Sequence, residues 1–242
     1  MRPRVRVAHI RGALGYAEAS LLQTSLVNGL RAGRAPDTLL LLEHPPVFTL
    51  GRLQESAANV LASQAKIDAV GASVIQSDRG GNVTFHGPGQ LVAYPILDLR
   101  NHKQNLRWYV SALEEAMIGT AAAYGVEAVA GGDGQTGVWA GDRKLGAIGV
   151  RVARWYSTHG IALNANVDLG FFDMIVPCGL HETPQVTSLT RETGRTVTVD
   201  ETVPKFCDAF AAALGCELYE ASVEKEVQEA IGAAKAQASN AG

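Results

Sequence analysis

An α+β fold in a single domain is what this sequence predicts, with a mixed, largely antiparallel sheet and flanking helices. Three observations carry that expectation. Apolar residues recur at helical spacing in some stretches and at every second position in others, which separates helices from strands. The two kinds interleave, and the strand-like stretch between positions 138 and 163 is punctuated by short turns, as antiparallel hairpins are. No repeat, long linker or shift in composition divides the 242 residues, of which 47% are hydrophobic, enough to bury a substantial core.

The elements follow in order. Val5 to Ile10 reads as a first strand, and Tyr16 to Leu30, with Ala17, Leu21, Leu22, Leu26 and Leu30, as a helix. Thr38 to Leu42 is a short buried strand. Glu43-His44-Pro45-Pro46-Val47 cannot be regular helix, because proline removes donors and restricts the residue before it. Ser63 to Val70 reads as a short helix and Ser73 to Gln76 as a strand. Gly80 to Gln90, with four glycines and a proline, is a shaped loop or broken hairpin, and Leu91 to Leu97 a strand. Leu106, Tyr109, Val110, Leu113, Met117, Ala121 and Tyr124 form one helical stripe. Strands are expected at Val138 to Trp139, Leu145 to Ala153 and Thr158 to Leu163, with a turn at Ala140-Gly141-Asp142. A helix over Pro204 to Leu214, a closing strand over Cys216 to Tyr219 and a surface helix over Val223 to Lys235 complete the chain, whose last residues are expected to fray.

Charged residues make up 19% and the formal net charge is −3, which speaks against a generic nucleic-acid binder. No apolar run approaches the roughly 18 residues of a membrane span. Met1-Arg2-Pro3-Arg4 is basic, but no apolar signal core follows it. With three cysteines, this predicts reduced thiols in a cytoplasmic protein.

Several motifs fail on inspection. Gly132-Asp133-Gly134-Gln135-Thr136-Gly137 matches a dinucleotide fingerprint, but strand rather than helix is expected after it, so it reads as a glycine-rich turn. Gly80 to Gln90 lacks the Lys-Ser or Lys-Thr of a phosphate-binding loop. His9, His44, His86, His102, His159 and His181 are scattered, and none has metal-ligand spacing, so no metal site is expected. Cys207 and Cys216 read as small core residues.

Two strands carry an unusual face. Ala147, Gly149, Arg151 and Ala153 share one side, opposite Ile148, Val150 and Val152; Thr158, Gly160, Ala162 and Asn164 share another, opposite His159, Ile161 and Leu163. Such small residues leave room either for a ligand or for close packing of a helix. Cys178 lies between Pro177 and Gly179, in a turn able to present sulfur at a pocket mouth, although a loop cysteine is usually inert. Lys144 stands at the start of the first small-faced strand, where a solvated hairpin lysine is the plainer reading.

Longer blocks change that balance. They are Glu43-His44-Pro45-Pro46-Val47-Phe48-Thr49-Leu50-Gly51-Arg52, Asp78-Arg79-Gly80-Gly81-Asn82-Val83-Thr84-Phe85-His86-Gly87-Pro88-Gly89-Gln90-Leu91, and Gly137-Val138-Trp139 followed by Asp142-Arg143-Lys144-Leu145-Gly146-Ala147-Ile148-Gly149-Val150-Arg151. His159-Gly160-Ile161-Ala162-Leu163-Asn164 and Phe172-Asp173-Met174-Ile175-Val176-Pro177-Cys178-Gly179 follow. In this order they resemble the bacterial-type lipoyl(octanoyl) transferase family, from about Leu14 to about Leu189. Phe85 stands where tyrosine is frequent, and the tail beyond about Tyr219 is not covered.

The resemblance implies a fold similar to the biotin and lipoate protein ligase catalytic domain, with residues 1–220 as the catalytic domain and 221–242 as a C-terminal helix or flexible tail. It implies transfer of an octanoyl group from octanoyl-acyl carrier protein to a lysine of lipoyl domains, those of 2-oxoacid dehydrogenase E2 subunits and of the glycine cleavage H protein. It assigns a thioester to Cys178 with Lys144 as acid/base partner, and acyl binding to Arg79, Gly80, Gly81, Asn82, Val83, Thr84, Phe85 and His86, to Ala147, Ile148 and Gly149, and to Gly160, Ile161 and Ala162. A thiolate is the competent acyl acceptor, and a neighbouring lysine can stabilise it or take its proton. Exchange of one thioester for another needs no ATP, and no cofactor is implied. His86 is the rival to Lys144 as base. Rival activities are an ATP-dependent lipoate ligase, a cysteine hydrolase and a non-catalytic lipoyl-domain binder.

Overall fold

The structure, a computed structural model, describes residues 2–132, 134–176 and 185–240, with side chains through 237. The described strands are β1 (Arg4–Ala13), β2 (Thr38–Glu43), β3 (Val47–Leu50), β4 (Ser73–Gln76), β5 (Thr84–His86), β6 (Gln90–Ile96), β7 (Val129–Ala130), β8 (Val138–Ala140), β9 (Arg143–Ala153), β10 (Tyr156–Asn164) and β11 (Glu217–Glu220). The helices are α1 (Tyr16–Arg31), α2 (Gln64–Ala69), α3 (Leu106–Ala122), α4 (Leu189–Thr193), α5 (Val199–Leu214) and α6 (Glu224–Asn240). No helix among the described residues is long and apolar enough to cross a membrane.

One sheet runs in the order β11-β1-β2-β6-β10-β9-β8-β7. Its β11–β1 and β1–β2 pairs are parallel and the others antiparallel, as the sequence predicts for a mixed, largely antiparallel sheet. A smaller sheet, β4-β3-β5, lies beside it. β2 shows why helices must cover both faces of the large sheet. Leu39 and Leu41 enter the core shared with α3 and α5, while Leu40 and Leu42 enter the core shared with α1 and α6. Period-2 alternation of an all-leucine run buries it on both sides only in such a three-layer arrangement. A third core, around Phe48, Phe85, Phe172 and Ile67, joins the small sheet to α2 and to the turn before 177.

The boundaries depart from the sequence expectation in three instructive places. α5 begins at Val199 rather than Pro204, because Thr198 and Glu201 form a reciprocal capping box that starts the helix five residues earlier. Pro204 therefore sits inside the helix and forfeits one bond there. α6 runs to Asn240, past the expected Lys235, and it docks on α1 through Val227, Ala230 and Ile231, with Val223 just before it in the same core and Arg6 reaching Glu226 at 3.1 Å. β3 and the short α4 had no clear sequence signal.

β10 carries the decisive irregularity. It pairs with β6 from Ile161–Ala93 to Asn164–Gln90, and then the ladder breaks. The cause is Pro95 in β6. Its carbonyl is turned toward β10, where Ser157 Oγ donates to it at 2.7 Å, so the N–H that proline lacks is missing from the same edge. Ser157 repairs the ladder beyond the gap, its N–H donating to Leu97 O and its Oγ accepting from Leu97 N–H. Within the gap His159 takes φ +57°, and a Cβ on Gly160 would lie 2.0 Å from Ala93 O and 2.7 Å from Pro95 Cδ. The expected alternation therefore holds for Ile161, Leu163 and Ala162 but not for His159, which turns toward Tyr94. Gly160 is required by the approach of the neighbouring backbone. Gly160→Ala is expected to destabilise the chain by about 3 kcal/mol through overpacking, lowering Tm by roughly 6–12 °C in a thermal melt.

Candidate active site

A cavity of about 240 Å³ opens between the large sheet and the loop joining β4 to β5. The register of β9 and β10 sets its floor: Gly149 faces Gly160 and Ala147 faces Ala162, so four small residues meet on one surface. Of the residues expected to bind acyl, Arg79, Gly81, Asn82, Val83, Thr84, His86, Ala147, Ile148, Gly149, Gly160, Ile161 and Ala162 line this cavity. Gly80 and Phe85 are not among its lining. Gly80 pins the loop to β9 by donating its N–H to Val150 O at 3.1 Å, and Phe85 is buried among Phe48, Phe171 and Phe172.

Arg79 is the frame of the loop. Its Nη2 donates to Thr49 O at 2.6 Å and Asn82 O at 2.7 Å, its Nη1 to Gly80 O at 2.9 Å and its Nε to Thr49 Oγ1 at 3.1 Å. A planar fork of donors can satisfy several backbone carbonyls in one turn, which an ammonium cannot do with that geometry. The side chain also roofs Gly149, where a Cβ would stand 3.0 Å from Arg79 Cδ.

Opposite the loop stands a wall of aromatic and imidazole rings. His86 stacks on Tyr16 with centroids 6.3 Å apart, and His44 lies 5.9 Å from Tyr94. Their polar atoms are largely committed to one another. His44 Nδ1–H donates to Leu14 O at 2.6 Å, so its Nε2 accepts from Tyr94 OH at 2.7 Å. Tyr16 OH pairs with Ser77 Oγ at 2.7 Å, and His86 Nδ1–H donates to Gln90 Oε1 at 2.8 Å. Burial holds the His44 pKa down to about 4 and the His86 pKa well below the usual value, while it pushes Tyr16 and Tyr94 up. At neutral pH the wall is uncharged and suits an apolar ligand.

Lys144 is the second residue of β9 and is 3% exposed, which replaces the picture of a solvated hairpin lysine. Its Nζ donates to Thr136 O at 3.1 Å and lies 5.4 Å from the Trp139 ring centroid. A narrow space of about 10 Å³ adjoins it and shares Thr84, Ala147 and Ala162 with the main cavity. The backbone of Lys144 holds the chain on its return from 177–184: its N–H donates to Gln185 O at 2.7 Å and its carbonyl accepts from Thr187 N–H at 2.9 Å. At the other end of that segment Val176 N–H donates to Asn59 O at 2.7 Å. Cys178 itself, with Pro177, Gly179 and His181, lies outside the described residues. The two cysteines that are described are no rivals to it, since burial pushes the thiols of Cys207 and Cys216 up to about 11.

The structure adds residues that sequence reasoning missed. Tyr16, Tyr94 and His159 line the cavity, as do Gly134 and Thr136 of the glycine-rich turn. That turn is not a nucleotide loop, for β8 follows it, yet it supplies the carbonyl that holds Lys144. Its glycines were the available signal. Tyr16 and Tyr94, each on an apolar stripe, offered none.

The family model for the lipoyl protein ligase A/B catalytic domain matches residues 15–211. An octanoyltransferase of Rubrobacter xylanophilus is 45% identical over 215 residues, covering 88% of this chain and 96% of its own length. The mitochondrial octanoyl-[acyl-carrier-protein]:protein N-octanoyltransferase of Danio rerio is 42% identical over 216 residues, covering 88% and 94%. Among solved structures, lipoate-protein ligase A bound with ATP superposes with a TM-score of 0.73 at 16% identity, over 95% of this chain and 92% of that one. Biotin protein ligase from Aquifex aeolicus, in complex with biotin and ATP, gives 0.52 at 13% identity, over 87% and 70%. These two speak for the fold alone. The chain belongs to the lipoyl protein ligase A/B catalytic family. Within that family it stands with the octanoyltransferases.

The buried imidazoles set a pH dependence. A histidine whose pKa is depressed in the folded state binds fewer protons there than when unfolded, so its stabilisation is full above the unfolded pKa and falls as pH drops toward the folded one. For His44, with its pKa lowered to about 4, the window runs from about 6.5 down to about 4. Urea denaturation should show His44 alone costing about 2 kcal/mol between pH 7 and pH 5, with His86 and His159 adding in the same direction. A His44→Gln variant should show a shallower slope over that window.

Proposed function

We propose that this octanoyltransferase carries its acyl group as a thioester on Cys178, taking it from octanoyl-acyl carrier protein and delivering it to a lysine of a lipoyl domain. The observation that supports this reading best is the position of Lys144. It is buried beside a narrow extension of the cavity, and its own backbone holds the chain at Gln185 and Thr187 that follows the Cys178 segment. The Cys178 thiolate attacks the carbonyl carbon of the donor, the bond to the carrier sulfur breaks and the carrier leaves as thiolate. The acceptor amine then attacks the new thioester, an amide forms and Cys178 is released. A lysine at this place can stabilise the thiolate in the first half and move the amine's proton in the second. Neither half changes oxidation state or consumes a nucleotide. Residues 1–220 form the catalytic unit in this reading, with 221–242 as an appended helix. The E2 and glycine cleavage H lipoyl domains are the acceptors, and the cytoplasm, which keeps thiols reduced, is the compartment.

The test is intact mass of the protein after incubation with octanoyl-carrier protein, without ATP. Wild type should gain one octanoyl group. Cys178→Ala should gain none and transfer none, whereas Cys207→Ala should load normally. Lys144→Ala should load more slowly by about 10²- to 10⁴-fold and recover in part at raised pH, where the thiol ionises unaided. Lys144→Arg keeps the charge but cannot shuttle a proton, so acyl-enzyme should accumulate. Loading that requires ATP, or that survives Cys178→Ala, would replace this mechanism with that of a ligase.

The floor of the cavity makes a separate prediction. Any side chain at Gly149 presses on Arg79 and Gly80, which pack directly on β9 at the edge of the cavity. Gly149→Val should therefore lose octanoyl loading more than butanoyl loading, in parallel single-turnover assays. Equal loss for both lengths would mean that the glycine serves only the packing of the loop.

A further inference from the structure

Beyond His159 lies a second cavity, of about 180 Å³, between α1 and the β9–β10 hairpin. Its character is opposite to that of the first, for Gln23, Asn28, Arg31, Asp78 and Arg151 line it. Among the described residues, His159 is the one that lines both.

The ring is fixed from several directions. Its Nε2 bonds Asp78 Oδ1 at 2.6 Å, and Asp78 is paired in turn with Arg151 at 3.0 Å. The His159 N–H donates to Gln23 Oε1 at 2.7 Å, and the Tyr94 ring meets the imidazole edge-on at 6.1 Å. The backbone takes φ +57° because the ladder to β6 is interrupted at Pro95, a conformation uncommon for residues other than glycine. The residue is 4% exposed and its Nδ1 is buried with no partner among the described residues, so these features hold the ring without satisfying all of it. A local cost of this kind persists where the surroundings over-determine it, and here they place one ring between two cavities.

We propose that His159 is the partition that sets acyl length, a specificity-determining residue that closes the apolar cavity against the charged one behind it. This rests on the first cavity holding the acyl chain. Ala147 and Ala162 lie at the Lys144 end of the floor and Gly149 further along β9, so a chain entering past Lys144 runs toward His159. Carbons beyond the ring would have to displace it and would enter a space lined by charge, where they gain no apolar burial.

The experiment is single-turnover loading from octanoyl-, decanoyl- and dodecanoyl-carrier protein, read by intact mass. His159→Gly removes the ring and accepts the left-handed backbone. It should raise the ratio of dodecanoyl to octanoyl loading by about tenfold or more, the scale on which pocket length discriminates. His159→Phe retains the bulk without the nitrogens and should keep the wild-type length profile. A folded His159→Gly with the wild-type profile overturns the proposal, as does a His159→Phe that broadens like glycine. Should His159→Gly fail to fold, Asp78→Ala, which frees the ring without deleting it, decides the matter: a smaller rise in the same ratio is expected, and an unchanged ratio is fatal. Gly149→Val separates this proposal from the reading beneath it. If Gly149→Val leaves octanoyl loading untouched, the cavity is not the acyl site and both fall. If it impairs loading while His159→Gly keeps the wild-type profile, only the partition falls.

Discussion

The register between β9 and β10 is the constraint on which the rest of this molecule depends. Gly149 must face Gly160 and Ala147 must face Ala162 for the floor to be open. The intervening Ile148 and Ile161 must then face the α3–α5 core, as they do. A slip by one residue would exchange the two sets, blocking the cavity with isoleucine and emptying the core. The same register brings the buried Lys144 to the end of the floor, so the fold places the cavity and this lysine by a single pairing.

A polar chain links this floor to the chain leaving the Cys178 segment. Thr187 donates its N–H to Lys144 O, accepts at its own carbonyl from Asn164 Nδ2 at 2.9 Å, and donates its hydroxyl to Glu192. Glu192 is held by Arg143 through two bonds of 2.9 Å. Asn164 Oδ1 accepts from Gln90 Nε2 at 2.9 Å, and Gln90 Oε1 accepts from His86. Each buried group in this run is satisfied by the next, which is the condition under which a buried network fixes geometry rather than costing stability. His86, the rival base, is thereby tied at Nδ1, and its nearest ring neighbours are the neutral wall rather than Lys144.

How much of this could be read from the sequence differs by the range of the interaction responsible. Strands and helices announced by local periodicity were legible: β9, β10 and α3 lie where the pattern puts them, and the small faces of Ala147, Gly149 and Ala162 meet as expected. The start of α5 was misplaced because two local signals conflict. Pro204 suggests a first turn, and the Thr198–Glu201 box overrules it. The orientation of His159 was illegible for a different reason. It is set by Pro95, 64 positions earlier in sequence and one strand away in space. Period-2 reasoning assumes an unbroken ladder, and only the pairing of β6 with β10 reveals that the proline sits where the ladder needs a donor. Tyr16 and Tyr94 were hidden in another way: an apolar stripe does not distinguish a tyrosine that fills a core from one that faces a ligand.

The site that results is apolar in effect although many of its walls are polar in composition. Tyr16, His44, His86 and Tyr94 would be costly to bury singly, yet they are paired with one another and with Ser77, Leu14 O and Gln90; Tyr16, His86 and Tyr94 line the cavity and His44 packs against them. The arrangement has a consequence that an aliphatic wall would not have. Rings locked by hydrogen bonds at their rims cannot change rotamer without breaking those bonds, so the wall is rigid where a leucine wall would yield. Where the cavity holds the acyl chain, as proposed above, such a rigid boundary gives an alkyl group with no polar atom to recognise a fixed limit of length.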